Sequence, residues 1–351
     1  MTAGVVELPA IRPVDEETRA AARAELDRKT KPRGSLGRVE DLAARFAAIR
    51  GTVTPEAVRA AIVVVAADHG VAAEGVSAYP QAVTRQMLAN FASGGAAICV
   101  LARLAGAELV VVDAGVVEAY PDTRVRDLRL GPGTANATLT AAMSREQSLE
   151  ALDRGAELAR ELLERGANVV ALGDMGIANT TSAAAVASAL LGCDAAEMCG
   201  PGTGLDAAGV SRKVDVVRRM LDRNRPRSDD PLDVLALVGG FEIGVLAGVA
   251  LGAAAGGAAV VLDGVITGAA ALLAARLEPD AAGYFIASHL SPEPGHAAIL
   301  RGLELEPLLD LALRLGEGSG AALALPLVSA AREILVEMAT FERAGVTDAG
   351  R

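Results

Sequence analysis

The sequence predicts an α/β fold, a parallel β-sheet flanked by helices, with a smaller helical unit drawn from both chain ends. Two patterns carry this. Short apolar runs rich in β-branched residues alternate with helix-like stretches, and each run breaks off at once into glycine or polar residues. Composition agrees: 38 Gly, no Trp and 52% hydrophobic residues leave a core of Ala, Val and Leu, small enough for helices to close on a parallel sheet. A chain of 351 residues amounts to roughly two domains, or one large α/β unit with an appendage.

In chain order, Asp15–Arg28 and Gly37–Arg50 read as amphipathic helices. The first strand-length run, Ala61–Ala66, leads into Ala67-Asp68-His69-Gly70, and Leu109–Val112 leads into Asp113-Ala114-Gly115. Asn168–Leu172 runs into Gly173-Asp174-Met175-Gly176 and then an alanine-rich helix, Ser182–Leu191. Asp229-Asp230-Pro231 caps a helix over Leu232–Val238, after an exposed polar loop, Arg223–Asp230. Ile243–Leu262 carries no charge for twenty residues, long enough to cross a bilayer. Gly256-Gly257 interrupts it and charged residues close it, so a buried helix followed by a buried strand is the reading, with no membrane span. Ala258–Leu262 then runs into Asp263-Gly264, and Tyr284–Ala287 into Ser288-His289. Leu305–Leu315 and Ala321–Met338 read as helices that pack with the N-terminal pair. The expected organisation is therefore residues 1–55 and 301–351 in a small helical domain and 56–300 in the α/β domain, with no repeat at solenoid periods.

A net charge of −11 without a basic stripe speaks against nucleic acid as a partner. Cationic side chains should instead gather wherever an anionic substrate binds. Cys99, Cys193 and Cys199 lack metal spacing and read as reduced, buried thiols of a cytoplasmic protein. Met1–Glu16 has no secretion layout. His69, His289 and His296 form no metal-binding pattern, and His69 is expected to be a hydrogen-bonded structural residue, so no metal or cofactor is expected.

In parallel sheets ligands bind beyond the carboxyl ends of the strands, where the polar endings fall. Gly316-Glu317-Gly318-Ser319-Gly320 sets one carboxylate among glycines, open to a ligand, with Ser319 and Gly320 placed to aim helix N-terminal donors at an anion. Its alternative is a helix–helix turn carrying an exposed Glu. Gly200-Pro201-Gly202-Thr203-Gly204 is no Walker A loop but offers an amide nest for phosphate, with Lys213 close behind, or else a plain turn. Gly173–Thr181 is a strand–turn–helix junction where Asn179, Thr180 and Thr181 either meet a phosphate or ribose or simply cap the helix. Ser77, Tyr79, Gln81 and Gln86 occupy a loop suited to a flat ligand.

These motifs share their order with a known family. Lys31-Pro32-Arg33-Gly34-Ser35-Leu36-Gly37, Ala67–Gly70, Glu74-Gly75-Val76-Ser77, Gly173–Thr181, Gly202-Thr203-Gly204-Leu205-Asp206, Val238-Gly239-Gly240-Phe241-Glu242 and Gly316–Gly320 follow one another over residues 15–346. The chain resembles the nicotinate-nucleotide:dimethylbenzimidazole phosphoribosyltransferases. The resemblance implies a homodimer with a Rossmann-like domain, a smaller helical domain and an active site between them. It implies transfer of phosphoribose from nicotinate mononucleotide to 5,6-dimethylbenzimidazole, giving α-ribazole 5′-phosphate for the lower ligand of cobalamin. Glu317 then matches the general base and Lys213 a position tied to activity, while Asp174 stands where Glu is expected and Ala178 where Gly is. Gly176, Asn179, Gly202, Thr203 and Gly204 are assigned to the phosphate, Thr180 to the substrate without a part specified, and Ser77, Tyr79, Gln81 and Gln86 to the acceptor base. Asp263, Ser288, Leu315, Gly316, Gly318 and Ser319 complete the expected substrate contacts. A different acceptor base, or a nucleotide-binding module without catalysis, are the competing readings.

Overall fold

The computed structural model describes residues 10–202 and 204–347. Thr203 and most of the Met1–Glu16 stretch lie outside the described residues. Six strands, β1 (Ala60–Ala67), β2 (Glu108–Gly115), β3 (Val125–Asp127), β4 (Val169–Met175), β5 (Ala259–Leu262) and β6 (Phe285–Ala287), form one sheet. Its order is β3-β2-β1-β4-β5-β6 and every pairing is parallel. The chain reverses its direction of winding between β1 and β4, the position where doubly wound sheets open a crevice at their carboxyl edge. Burial on both faces makes β1 a continuous apolar run rather than an alternating one, with Ile62–Ala67 fully enclosed. β2, β4, β5 and β6 likewise fall where the apolar runs place them. Only β3, too short and too polar to register as a run, is new.

The helices are α1 (Glu16–Asp27), α2 (Arg38–Arg50), α3 (Ala82–Ser93), α4 (Ala97–Ala105), α5 (Arg145–Glu164), α6 (Asn179–Leu191) and α7 (Ala195–Met198). They continue as α8 (Ala207–Asn224), α9 (Pro231–Val238), α10 (Phe241–Ala255), α11 (Val265–Leu277), α12 (Pro294–Gly302), α13 (Ser319–Glu337) and α14 (Phe341–Ala344). The uncharged stretch after Glu242 is α10 followed by β5, and α10 is buried on nearly every side. It packs along α5 through Gly244, Gly248 and Gly252, spaced one helical turn apart. A β-carbon on Gly252 would lie 2.7 Å from the Ala156 carbonyl oxygen, so only glycine lets the two backbones come this close. Ser319–Glu337 and Ala82–Ala105 are also long and apolar enough to pass for membrane spans. The second is broken at Gly94 between α3 and α4, and α13 packs on α2, α4 and the sheet.

Helices near the two termini pack together. α1 packs on α2, α13 packs on α2, and Lys29 bridges Thr340 in antiparallel register.

The helix expected over Leu305–Leu315 is not formed. This segment runs without helix from the end of α12 to the Glu317 loop. Leu308 and Leu309 donate their amides to the carbonyls of Ala287 (3.0 Å) and Ser288 (2.9 Å), extending the end of β6 instead of closing a helical ladder. Pro307 has no N–H to give and steers Glu306 away from helical angles, and Glu304 and Ala312 take left-handed φ of 55° and 52°. The leucine spacing imitates a helical face, but the backbone hydrogen bonds are spent on the sheet.

Candidate active site

β4 ends in Gly173-Asp174-Met175 at the β1/β4 crevice, and the 316–318 loop lies across it. A β-carbon on Gly173 would fall 2.6 Å from the Glu317 carbonyl oxygen, so the bare α-carbon is what lets the loop rest on the strand. The Glu317 amide donates to the Asp174 carbonyl oxygen at 3.2 Å. Glu317 itself takes φ 62° between Gly316 (81°) and Gly318 (84°), three consecutive left-handed residues of which one is not glycine. Such a conformation costs about 1–2 kcal/mol for an L-residue and persists only where the surroundings enforce it.

Asp263, after β5, enforces it. Its Oδ2 accepts the Gly318 amide (3.1 Å), and its Oδ1 accepts those of Gly320 (2.7 Å) and Ala321 (3.1 Å). The N-terminal donors of α13, expected to face a ligand anion, are thus taken by the protein's own carboxylate. The Glu317 side chain is not the exposed residue of a simple turn: it is 6% exposed, and its Oε2 accepts the Ile98 amide at the start of α4 at 3.4 Å. Burial raises its pKa, with Asp263 adding to the rise and the Ile98 N–H opposing it.

Asp174 is enclosed in the same place. Burial, reinforced by the charge of Asp263 and then by Glu242 and Glu317, pushes its carboxyl up to about 8, against the lowering effect of the Asn179 amide. It therefore carries a proton at neutral pH. Its Oδ2 accepts from Asn179 Nδ2 at 2.8 Å, while Oδ1 has no partner among the described residues. Asn179 is the first residue of α6, and its side chain turns back to Asp174 rather than capping the helix. The cap position is Ala178 at φ 74°, a left-handed angle that accounts for glycine being expected there.

One cleft unites much of the expected set: Asp174, Gly176, Asn179, Thr180, Gly202, Leu315 and Gly316 line it together. Lys213, from α8, is buried behind this wall, its Nζ donating to Thr180 Oγ1 (2.8 Å) and the Gly200 carbonyl oxygen (3.3 Å). Burial lowers its pKa, opposed by the carboxylate of Glu293. Gly204 closes the loop with its amide on the Pro201 carbonyl oxygen, at φ 122°. Ser288 and Ser319 are buried, and neither hydroxyl has a partner among the described residues.

Other expected contacts lie elsewhere. Gln81 and Gln86 line a separate cleft with Asp68 and Arg85. The Gln81 side chain donates to the His69 carbonyl oxygen (3.2 Å), which ties that cleft to the end of β1. Ser77 accepts the Tyr79 amide at 3.2 Å, and Tyr79 is exposed. His69 is the expected structural histidine, with Nε2 2.9 Å from Glu242 and Nδ1 3.0 Å from Ser182 Oγ. Although burial opposes its charge, Glu242 holds its pKa above the ordinary value.

Among the polar cleft residues, His289, Ser291, Glu293 and Arg314 have no place in the sequence-based assignment. The Ser288-His289 strand ending is the available signal for the first three, and the polar residues just beyond it belong to the same turn. Glu293 accepts the Gly202 amide at 2.8 Å.

Comparison with known proteins converges on one family. A family model described as Phosphoribosyltransferase matches residues 11–346. A nicotinate-nucleotide–dimethylbenzimidazole phosphoribosyltransferase of Azotobacter vinelandii is 53% identical over 346 residues, covering 98% of both chains. One from Chloroflexus aggregans is 51% identical over 96% of both. Among solved structures, CobT from Thermus thermophilus superposes with a TM-score of 0.92 at 49% identity, covering 95% of this chain and all of the other.

Proposed function

The chain belongs to this phosphoribosyltransferase family, and from that premise we propose that it transfers phosphoribose from nicotinate mononucleotide to 5,6-dimethylbenzimidazole, with Glu317 as general base. The observation that carries the assignment of the base is Glu317 itself: a buried carboxylate, held in a left-handed conformation beside the β1/β4 crevice, with a raised pKa. A protein does not need this arrangement for stability, since burial and backbone strain both cost free energy.

The chemistry asks for one base and no acid. The glycosidic nitrogen of nicotinate mononucleotide is already cationic, so the C1′–N bond breaks with its electron pair going to the ring and nicotinate leaves neutral at nitrogen. A lone pair on one nitrogen of the benzimidazole forms the new bond to C1′ from the opposite face, turning a β-linkage into an α-linkage. The other nitrogen then holds an N–H proton made acidic by the developing positive charge, and Glu317 takes it. Such help is typically worth ~10²–10⁴-fold, and its raised pKa brings Glu317 closer to the pH where a base is most effective.

Gly176, Asn179, Thr180 and Gly202 are assigned to the phosphate, with the buried Lys213 ammonium supplying the charge. In a chain of net charge −11, a lysine enclosed next to a glycine loop and Arg314 on the cleft wall are local cations of the kind an anionic substrate requires. Leu315 and Gly316, on the cleft wall next to Glu317, are assigned to the face of the acceptor base. The direct test is incubation of the purified protein with nicotinate mononucleotide and a panel of bases. Stoichiometric nicotinate and a phosphoribosylated dimethylbenzimidazole are the expected products. No product with any base, from folded protein that binds the nucleotide, would remove the catalytic reading.

A further inference from the structure

The Gly202 amide that the phosphate placement calls on is already occupied. It donates to Glu293 Oε1 at 2.8 Å, and Glu293 is buried. Lys213 alongside has its ammonium hydrogen-bonded to two neutral oxygens, Thr180 Oγ1 and the Gly200 carbonyl, and forms no ion pair among the described residues. The absent side chain of Gly202 leaves room beside both donors: a β-carbon there would lie 3.3 Å from Thr180 Oγ1 and 3.6 Å from Lys213 Nζ. An amide, a hydroxyl and an ammonium thus border one small space, and the anion on the amide comes from within the chain.

We propose that the Glu293 carboxylate stands in for the substrate phosphate when no nucleotide is bound, and that the nucleotide phosphate displaces it. The inference rests on the phosphate placement proposed above. Two anions cannot share these donors at a few ångströms in an enclosed site, because their repulsion there is far stronger than in water. The exchange keeps the Gly202 amide paired with an anion in both states and leaves a negative charge near Lys213 in each, which an apolar site would not. Glu293 is also mechanically suited to it. Pro294 follows at the first position of α12 and fixes the local backbone, so that the exchange asks only for rotation about the glutamate side-chain torsions. The affinity for nucleotide is then set by a competition, with Glu293 weakening phosphate binding and so easing release of the phosphorylated product.

Glu293→Gln keeps an acceptor for the Gly202 amide and removes the competing charge. Titration calorimetry of the full chain, at a pH of about 8 where phosphate is a dianion, measures the effect with inorganic phosphate and with nicotinate mononucleotide as probes. Both are expected to bind the variant about tenfold tighter or more than the unaltered protein. Equal or weaker binding by a variant with an unaltered melting temperature overturns the proposal. A crystal structure of the unaltered protein with inorganic phosphate decides the matter should the variant not fold. Phosphate at Gly202 with Glu293 beyond hydrogen-bond reach supports the exchange, whereas an intact Glu293–Gly202 bond, with phosphate bound or not, overturns it. If the nucleotide binds and the bond persists, only this inference falls. If the nucleotide does not bind at all, the proposed function falls with it.

Discussion

The Glu317 amide donates to the Asp174 carbonyl oxygen across 3.2 Å, fixing the loop that carries one buried acid to the strand that carries another. The two side chains are then used differently. Asp174 is enclosed, hydrogen-bonded to Asn179 and protonated at neutral pH, with its carboxyl pushed up to about 8. Glu317 is turned to the start of α4, where the Ile98 amide favours its ionised form. A neutral acid beside an ionisable one keeps the repulsion between them small, as the role proposed for Glu317 requires.

Replacement of Glu317 by Gln should lower kcat by ~10²–10⁴-fold while leaving the dissociation constant for nicotinate mononucleotide nearly unchanged. The Ile98 amide keeps an acceptor, so the melting temperature should hold or rise. In the unaltered enzyme, activity should climb through a limb above the ordinary carboxylate range, since the base works ionised and its pKa is raised. Single-turnover rates against pH check both points, and a variant with normal turnover would assign the proton to another group.

Gly173→Ala tests positioning without touching a titratable group. The added methyl would meet the Glu317 carbonyl oxygen at 2.6 Å and the Gly318 amide nitrogen at 2.7 Å, both backbone atoms. The loop must lift from β4, and a shift of about 1 Å at a reacting group can cost ~10²-fold in rate. The stability cost should be about 1–3 kcal/mol, typical of overpacking. Turnover measured on folded protein, with nucleotide affinity as the control, separates displacement of the base from damage to the site as a whole.

The pH dependence of stability should carry the mark of Asp174. Its pKa rises from 3.8 to about 8 on folding, so the folded state holds a proton that the unfolded chain releases. The associated stability is complete below the unfolded value and is lost as pH climbs towards the folded one. Asp174→Asn has nothing to ionise. Its stability relative to the unaltered protein should therefore grow between about pH 4 and pH 8, at a slope no steeper than about 1.4 kcal/mol per pH unit. Urea unfolding of both proteins at several pH values measures this difference, and a flat difference would mean that Asp174 is ionised in the fold.

How much of this was legible in the sequence depends on what signal each feature leaves. β1, β4 and α10 were legible because burial on all sides writes itself as an unbroken apolar run. Asp174, Gly176, Asn179 and Gly316 were legible because strand endings and glycines mark the carboxyl edge of a parallel sheet. The non-helical course of residues 305–315 was not, since a leucine spacing records which side chains point inward and says nothing of where the amides of Leu308 and Leu309 are spent. Asp263 was placed among substrate contacts because it ends a strand, yet it holds the start of α13, a long-range partnership that local sequence does not carry. Glu293 had no mark beyond the nearby Ser288-His289 strand ending: its pairing is with Gly202, far away in the chain.

Gly248→Ala is the strongest stability prediction. α10 is buried almost all round and lies against α5 with glycines at the contact. A β-carbon on Gly248 would collide with the Leu152 carbonyl oxygen, and one on Gly155 of the facing helix with the Val245 carbonyl oxygen. In an exposed helix the same change gains about 0.8–1.0 kcal/mol from propensity. Here that gain is outweighed, because the atoms in the way are backbone and no rotamer change relieves them. The helices must separate, and α10 also contacts β1, β2, β4 and β5, so the displacement reaches the sheet. A loss of about 3 kcal/mol or more is expected, at or beyond the upper end of ordinary overpacking. Chemical denaturation gives the value. A neutral or stabilising outcome would mean that α5 and α10 are not in close backbone contact, and would take with it the explanation of why this helix is built from glycine and alanine.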